Sequence, residues 1–222
     1  MKKQAAVIQF LGSNCDEEAV NALQRVGFEV NKIFYKDGLE KNYDLVLIPG
    51  GFSYGDYLRS GAIAAKMPIM QDVANHAKRG AWVIGICNGF QILTESKILS
   101  GALLRTTSGH FKCKNVFLTT NKNASQAFKS LDDVFKVQIA HADGRYFDEA
   151  DKIKYLEDNN LIAFKYSTKE GVMDESSNPN GSLNNIAGII GGEFKNVIGL
   201  MPHPERMIDS GISDKFFHMF IK

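Results

Sequence analysis

The sequence is poor in cysteine, with only Cys15, Cys87 and Cys113 among 222 residues. Three thiols, odd in number and far apart, make no disulfide framework and match no zinc spacing. They are read as free thiols of a reducing cytoplasm, with no metal site expected. Charge of either sign is not in excess: 26 Lys plus Arg stand against 25 Asp plus Glu, for a formal net charge of +1. That balance, without long basic or acidic runs, argues against nucleic acid or an anionic membrane as the main partner. No apolar run approaches the roughly 18 residues that a membrane span needs. No proline-rich or low-complexity linker divides the chain, and no G-x-x-x-x-G-K-[ST] segment offers a nucleotide cradle. The opening MKKQAAVIQFL superficially looks like a signal peptide, but its apolar run is short, carries Gln4 and Gln9, lacks an A-x-A site and passes into an acidic segment. It is read as a first strand.

What is present is enough apolar sequence, 44% of residues, for a large core in one α/β domain over residues 1–222. Residues 4 to 11 form the expected first strand. GSNCDEE follows as a helix start with Ser13 or Asn14 as cap, and Gly27 ends that helix before a strand from Phe28 to Phe34. A strand at Tyr43 to Ile48, helical sequence up to Arg79 and a strand at 82 to 86 continue the alternation. From 99 to 140 shorter apolar pieces, Val116 to Leu118 and Val137 to Ile139 among them, suggest antiparallel additions to the sheet. IAGII at 186 to 190 and Val197 to Leu200 are further strands. The fold expected is an open, mostly parallel sheet with helices on both faces and an antiparallel extension.

The chemistry centres on WVIGICNGFQ, residues 82 to 91. Trp82, Val83, Ile84 and Ile86 read as a strand buried on both faces, and Phe90, Ile92 and Leu93 begin a helix. Cys87 sits at the corner between glycines at 85 and 89, a G-x-C-x-G version of the nucleophile elbow. In such an elbow the backbone N–H of the next residue, here Asn88, helps hold an oxyanion. The helix terminus favours thiolate over thiol. The alternative is an inert core cysteine. Cys15 also stands at a helix start but lacks the flanking glycines, and is read as structural. PGGFSYGDYLRSG at 49 to 61 follows the carboxyl end of a strand, where open α/β sheets bind ligands, so Gly51 is a candidate second oxyanion donor.

A thiol needs a base. His203 follows a buried strand between Pro202 and Pro204, with Glu205 two residues on, close enough to orient the imidazole. His76 and His218 fall in expected helices and are read as structural. HADGRYF at 141 to 147 brings His141, Asp143 and Arg145 to an expected loop, where they could hold a charged amino-acid substrate or simply be solvated.

The order Gly-Gly loop, G-x-C-x-G-x-Q elbow and late His-x-Glu resembles class I glutamine amidotransferases. More narrowly, GSNCD, GGFSYGDYLRSGAIA, ICNGFQ, NPNGS, IAGI and MPHPER resemble the family of glutaminase subunits of phosphoribosylformylglycinamidine synthases, over nearly the whole chain. The resemblance implies Cys87 as nucleophile, His203 and Glu205 as its partners in a triad, Gly51 and Asn88 as oxyanion donors, and Gln91 as holder of the amino-acid end of glutamine. It also implies a large ATP- and Mg²⁺-dependent synthase subunit and a small accessory subunit as partners, with no cofactor on this chain. His110, Ala142 and Asp143 depart from the family pattern. Rival readings are a glutaminase of another pathway, a cysteine hydrolase acting alone, and a flavodoxin-like binding module.

Overall fold

Leu45 to Ile48 and Ile84 to Ile86 are fully buried, as strands covered on both faces must be, and the architecture is arranged around them. In the computed structural model, which describes residues 2–221, eleven strands and five α-helices alternate along the chain. They are β1 (Gln4–Gln9), α1 (Asp16–Arg25), β2 (Glu29–Phe34), β3 (Leu45–Ile48), α2 (Ile69–Lys78), β4 (Trp82–Ile86), α3 (Asn88–Glu95) and β5 (Ala102–Leu104). Then follow β6 (Lys112–Thr120), β7 (Val134–His141), β8 (Arg145–Phe147), α4 (Ala150–Asp158), β9 (Ile162–Ser167), β10 (Ile186–Gly191), β11 (Val197–Leu200) and α5 (Ile212–His218).

The main sheet has nine strands in the order β2-β1-β3-β4-β11-β10-β9-β6-β7. The first five are parallel, with Ala5 opposite Leu45, Leu45 opposite Trp82 and Val83 opposite Val197. The remaining pairings are antiparallel, so that only β10 and β6 run against the common direction. β5 and β8 form a separate two-stranded ribbon. This is the mostly parallel sheet with an antiparallel extension that the sequence led us to expect. Its consequence is positional: β1, β3, β4 and β11 are neighbours, so the segments leaving their carboxyl ends, which carry Cys15, Gly50, Cys87 and His203, meet at one edge of the sheet.

Two local expectations need correction, and two elements had none. The N-cap of α1 is Cys15, with no side-chain cap bond, and not Ser13 or Asn14. Ser13 instead bridges to Gly51, and its Oγ accepts the Phe10 N–H at 3.0 Å, so a tertiary contact has taken the hydroxyl that a cap would use. The segment 141 to 147 is not all loop: His141 closes β7, and Arg145–Phe147 is β8, paired with β5. Finally, α4 and β9 carry no expectation from the sequence. α4 buries only Ile153 and Leu156, too few apolar positions to mark a helical stripe.

Candidate active site

The glycines around Cys87 are required by contact distances. A Cβ on Gly89 would stand 2.0 Å from the Ile48 carbonyl oxygen, and one on Gly85 would stand 2.6 Å from Gly89. Helix α3 therefore lies directly on β3 and β4, and Cys87 is forced into the turn between them with φ 52° and ψ −105°. A positive φ in a residue with a side chain is strained, and is typical of positions that present a reactive group. The corner is pinned by the Cys87 N–H, which donates to the Leu200 carbonyl at 2.8 Å.

β11 delivers the second part. After Leu200 the chain turns through Pro202, and His203 is fixed by its own N–H, which donates to the Gln138 carbonyl of β7 at 2.9 Å. His203 and Glu205 are 2% and 1% exposed, and His203 Nδ1 lies 2.6 Å from Glu205 Oε1. Nε2 has no hydrogen-bond partner among the described residues. Burial, the strongest influence, opposes the imidazolium. The negative charges of Glu205 and Cys87 beside the ring outweigh it and hold the His203 pKa well above the ordinary histidine value. Cys87, His203, Gly51, Cys15 and Arg206 share the wall of a cavity of about 200 Å³, with Phe52 and Phe111 beside them. A larger hollow of about 420 Å³ beside α4 and β9 has no cysteine, histidine or arginine in its wall. A strained thiol, a carboxylate-bound imidazole and a small cavity suit acyl transfer from an amide or ester.

Comparison with known proteins fits this geometry. Residues 2–216 match the model of the CobB/CobQ-like glutamine amidotransferase domain. The chain belongs to this glutamine amidotransferase family. Phosphoribosylformylglycinamidine synthase subunit PurQ of Pelagibacter ubique is 49% identical over 98% of this chain and 96% of the relative. The subunit of the same name from Leptospira interrogans is 48% identical over 92% and 90%. Among solved structures, PurLQS from Thermotoga maritima contains a chain that superposes with a TM-score of 0.83 at 39% identity, covering 99% of this chain and 96% of that one.

In this glutamine amidotransferase the two expected oxyanion donors have free backbone geometry. Asn14 N–H donates to Gly50 O at 3.3 Å and Phe52 N–H to Gly12 O at 2.9 Å, bonds that flank Gly51 and turn its own N–H away from that pairing. Gly51 has φ +154°, and a Cβ there would lie 2.6 Å from the Gly12 carbonyl oxygen, so only glycine fits. Asn88 is the first residue of α3, where an N–H has no partner in the helical ladder. Its side chain ties the loop to the helix, accepting from Ser53 N–H at 3.1 Å and donating to Gln91 Oε1 at 2.8 Å.

The remaining sequence candidates lie outside the cavity wall. Gln91 Nε2 donates to the Asp143 carbonyl at 2.6 Å, so its amide joins α3 to the segment after β7. His141 is 2% exposed and accepts at Nε2 from Asn180 Nδ2 at 3.0 Å. Burial first, and then the charge of His203, lower its pKa to about 3, so it remains neutral. Arg145 donates from Nε to the Arg105 carbonyl at 3.1 Å. Of the departures from the family pattern, His110 is exposed, and Asp143 accepts from Ser60 Oγ at 2.8 Å. Among the residues of the cavity wall that the sequence did not single out for it are a thiol and a guanidinium. Cys15 is 1% exposed, and Arg206 donates to its sulfur at 3.0 Å. The only available signals were the positions of GSNCD and MPHPER after strands that turn out to be close in the sheet.

Proposed function

We propose that this chain, as one glutamine amidotransferase domain over residues 1–222, hydrolyses the side-chain amide of glutamine and passes the ammonia to a synthase subunit. The observation that carries the reading is the buried Glu205–His203 pair, with its free Nε2 on the cavity that also holds the strained Cys87. His203 takes the thiol proton, and the Cys87 sulfur attacks the amide carbon. The carbonyl oxygen becomes an oxyanion held by the Gly51 and Asn88 N–H groups. As the C–N bond breaks, His203 returns its proton to the nitrogen and ammonia leaves. Water then gives a proton to His203 and adds to the γ-glutamyl thioester, and cleavage of the C–S bond releases glutamate and restores the thiol. Glu205 holds the ring and stabilises its charged form without taking the proton. Gln91, His141 and Arg145 surround this centre as candidate supports for the amino-acid end of the substrate.

The receiving partner is the large subunit of phosphoribosylformylglycinamidine synthase, with a small accessory subunit. There ATP and Mg²⁺ drive conversion of formylglycinamide ribonucleotide to its amidine in purine synthesis. The names of the PurQ relatives and the PurLQS structure support this reading. We place the complex in the cytoplasm on the reading of this chain as part of purine synthesis; among the described residues no helix is long and apolar enough to cross a membrane. Phe52, Tyr57 and Leu58 in the glycine-rich loop are 46%, 75% and 90% exposed, which gives the partner a grip on the segment bearing Gly51. The test is glutamine-dependent against ammonia-dependent synthesis by the assembled complex. Cys87→Ser abolishes the first and spares the second; retention of the first would overturn the assignment.

A further inference from the structure

The amide chemistry leaves two buried groups beside His203 without a task. One is the thiol of Cys15, on the cavity wall. The other is Oε2 of Glu205, which has no hydrogen-bond partner among the described residues although the residue is 1% exposed. Oε1 alone serves the imidazole. Ligand atoms of Cys15, His203 and Glu205 all lie within 4.8 Å of one another. A thiol, an imidazole and a carboxylate converging in a buried corner are a donor set for a divalent cation of the zinc class, which accepts sulfur, nitrogen and oxygen ligands in a tetrahedron and often keeps its fourth position open. The sequence spacing hides this set, since Cys15 lies nearly the whole chain away from the other two.

We propose that Cys15, His203 and Glu205 form an inhibitory site for a thiophilic divalent cation such as Zn²⁺. A cation bound there engages the imidazole and the carboxylate that amide hydrolysis requires, so occupancy and turnover exclude each other. Arg206 is the built-in competitor: its Nη2 lies 3.0 Å from the Cys15 sulfur, and its Nε lies 3.8 Å from Glu18. Arg206 guards the thiol in the cation-free state and can withdraw toward Glu18 when a cation enters. Binding itself does not depend on the glutaminase reading, whereas the inhibition does.

The two halves are separable by experiment. Cys113 is exposed and would take up zinc by itself, so every variant is made in a Cys113→Ser background. Zn²⁺ affinity is read by competition with a chromophoric chelator, and thiolate ligation by the absorption of the Co²⁺ form. The expected result is one ion per chain, with Co²⁺–thiolate absorption that survives Cys87→Ser and disappears in Cys15→Ser. Cys15→Ser should weaken Zn²⁺ binding by more than the about 10- to 100-fold that loss of an outer-shell partner costs. Serine preserves an acceptor for Arg206, and Cys15→Ala provides a second variant of the same position. In the assembled complex Zn²⁺ should suppress glutamine-dependent but not ammonia-dependent synthesis, with Cys15→Ser active and less sensitive. Equal Zn²⁺ affinity in parent and Cys15 variants, or a thiolate band lost with Cys87→Ser instead, would overturn the site. Equal loss of ammonia-dependent synthesis would overturn the inhibition while leaving the binding result standing.

Discussion

Gly50→Ala places a single methyl group between the proposed base, His203, and the proposed nucleophile, Cys87. A Cβ at this position would lie 2.9 Å from His203 Cε1, 3.0 Å from the Cys15 sulfur and 3.5 Å from Cys87 Cβ. Gly50 does not have a positive φ, so the backbone accepts alanine and the effect comes from the contacts. Carbon atoms rest at about 3.5–4.0 Å, so the imidazole must retreat by roughly 0.6–1 Å. It has little room to do so, being buried and tied to Glu205 at 2.6 Å. A displacement of about 1 Å between reacting groups costs about 10²-fold in rate, or roughly 2.7 kcal/mol of barrier. Stability should change less, because overpacking costs about 1–3 kcal/mol and alanine recovers about 0.4–1 kcal/mol by restricting the unfolded chain. The assay is glutamate release by the assembled complex at saturating glutamine, beside ammonia-driven synthesis and thermal unfolding. The variant should be folded, nearly inactive with glutamine and normal with ammonia. A glutamine rate within about threefold of the parent would refute the placement of the base at this contact.

His203→Asn should lower glutamine hydrolysis by about 10²-fold or more, while His141→Asn, which replaces an imidazole that stays neutral, should cost far less; the reverse order in kcat would show that the wrong histidine was named. Glu205→Gln should move the alkaline limb of the rate profile to lower pH. The sign follows from the opposing influences on His203: burial depresses its pKa and the Glu205 charge raises it, so loss of the carboxylate lets the imidazolium deprotonate earlier. An unmoved limb in kcat/KM would contradict this. The chain without its partner should turn over glutamine slowly and be strongly accelerated on assembly, because one missing oxyanion donor alone costs about 10²- to 10³-fold; equal initial rates would mean that the Gly51 loop is already set in the free chain.

The parts of the molecule that were readable in the sequence are those whose cause is local. Gly85 and Gly89 announce the elbow because the close approach of α3 to β3, with 2.0 Å between a Gly89 Cβ and the Ile48 oxygen, excludes any side chain there. Buried apolar runs announced the central strands for the same kind of reason. His203 and Glu205, two residues apart beside prolines, formed a local pattern, and the structure brings them into direct hydrogen bonding. What escaped depends on distant partners. Ser13 has the chemistry of a helix cap, but its pairing with Gly51 decides otherwise. The contact between Arg206 and Cys15 joins residues separated by 191 positions. β8 is short, and its pairing with β5 supplies the order that HADGRYF does not declare by its own pattern.

The central claim, that Cys87 carries the glutamyl group, is tested most directly by acid-quenching the complex during turnover of glutamine and mapping the modified peptide by mass spectrometry. The account predicts a γ-glutamyl thioester on Cys87 that is absent from Cys87→Ser. A glutamyl adduct on Cys15, or glutamate release at the parent rate by Cys87→Ser, would contradict it.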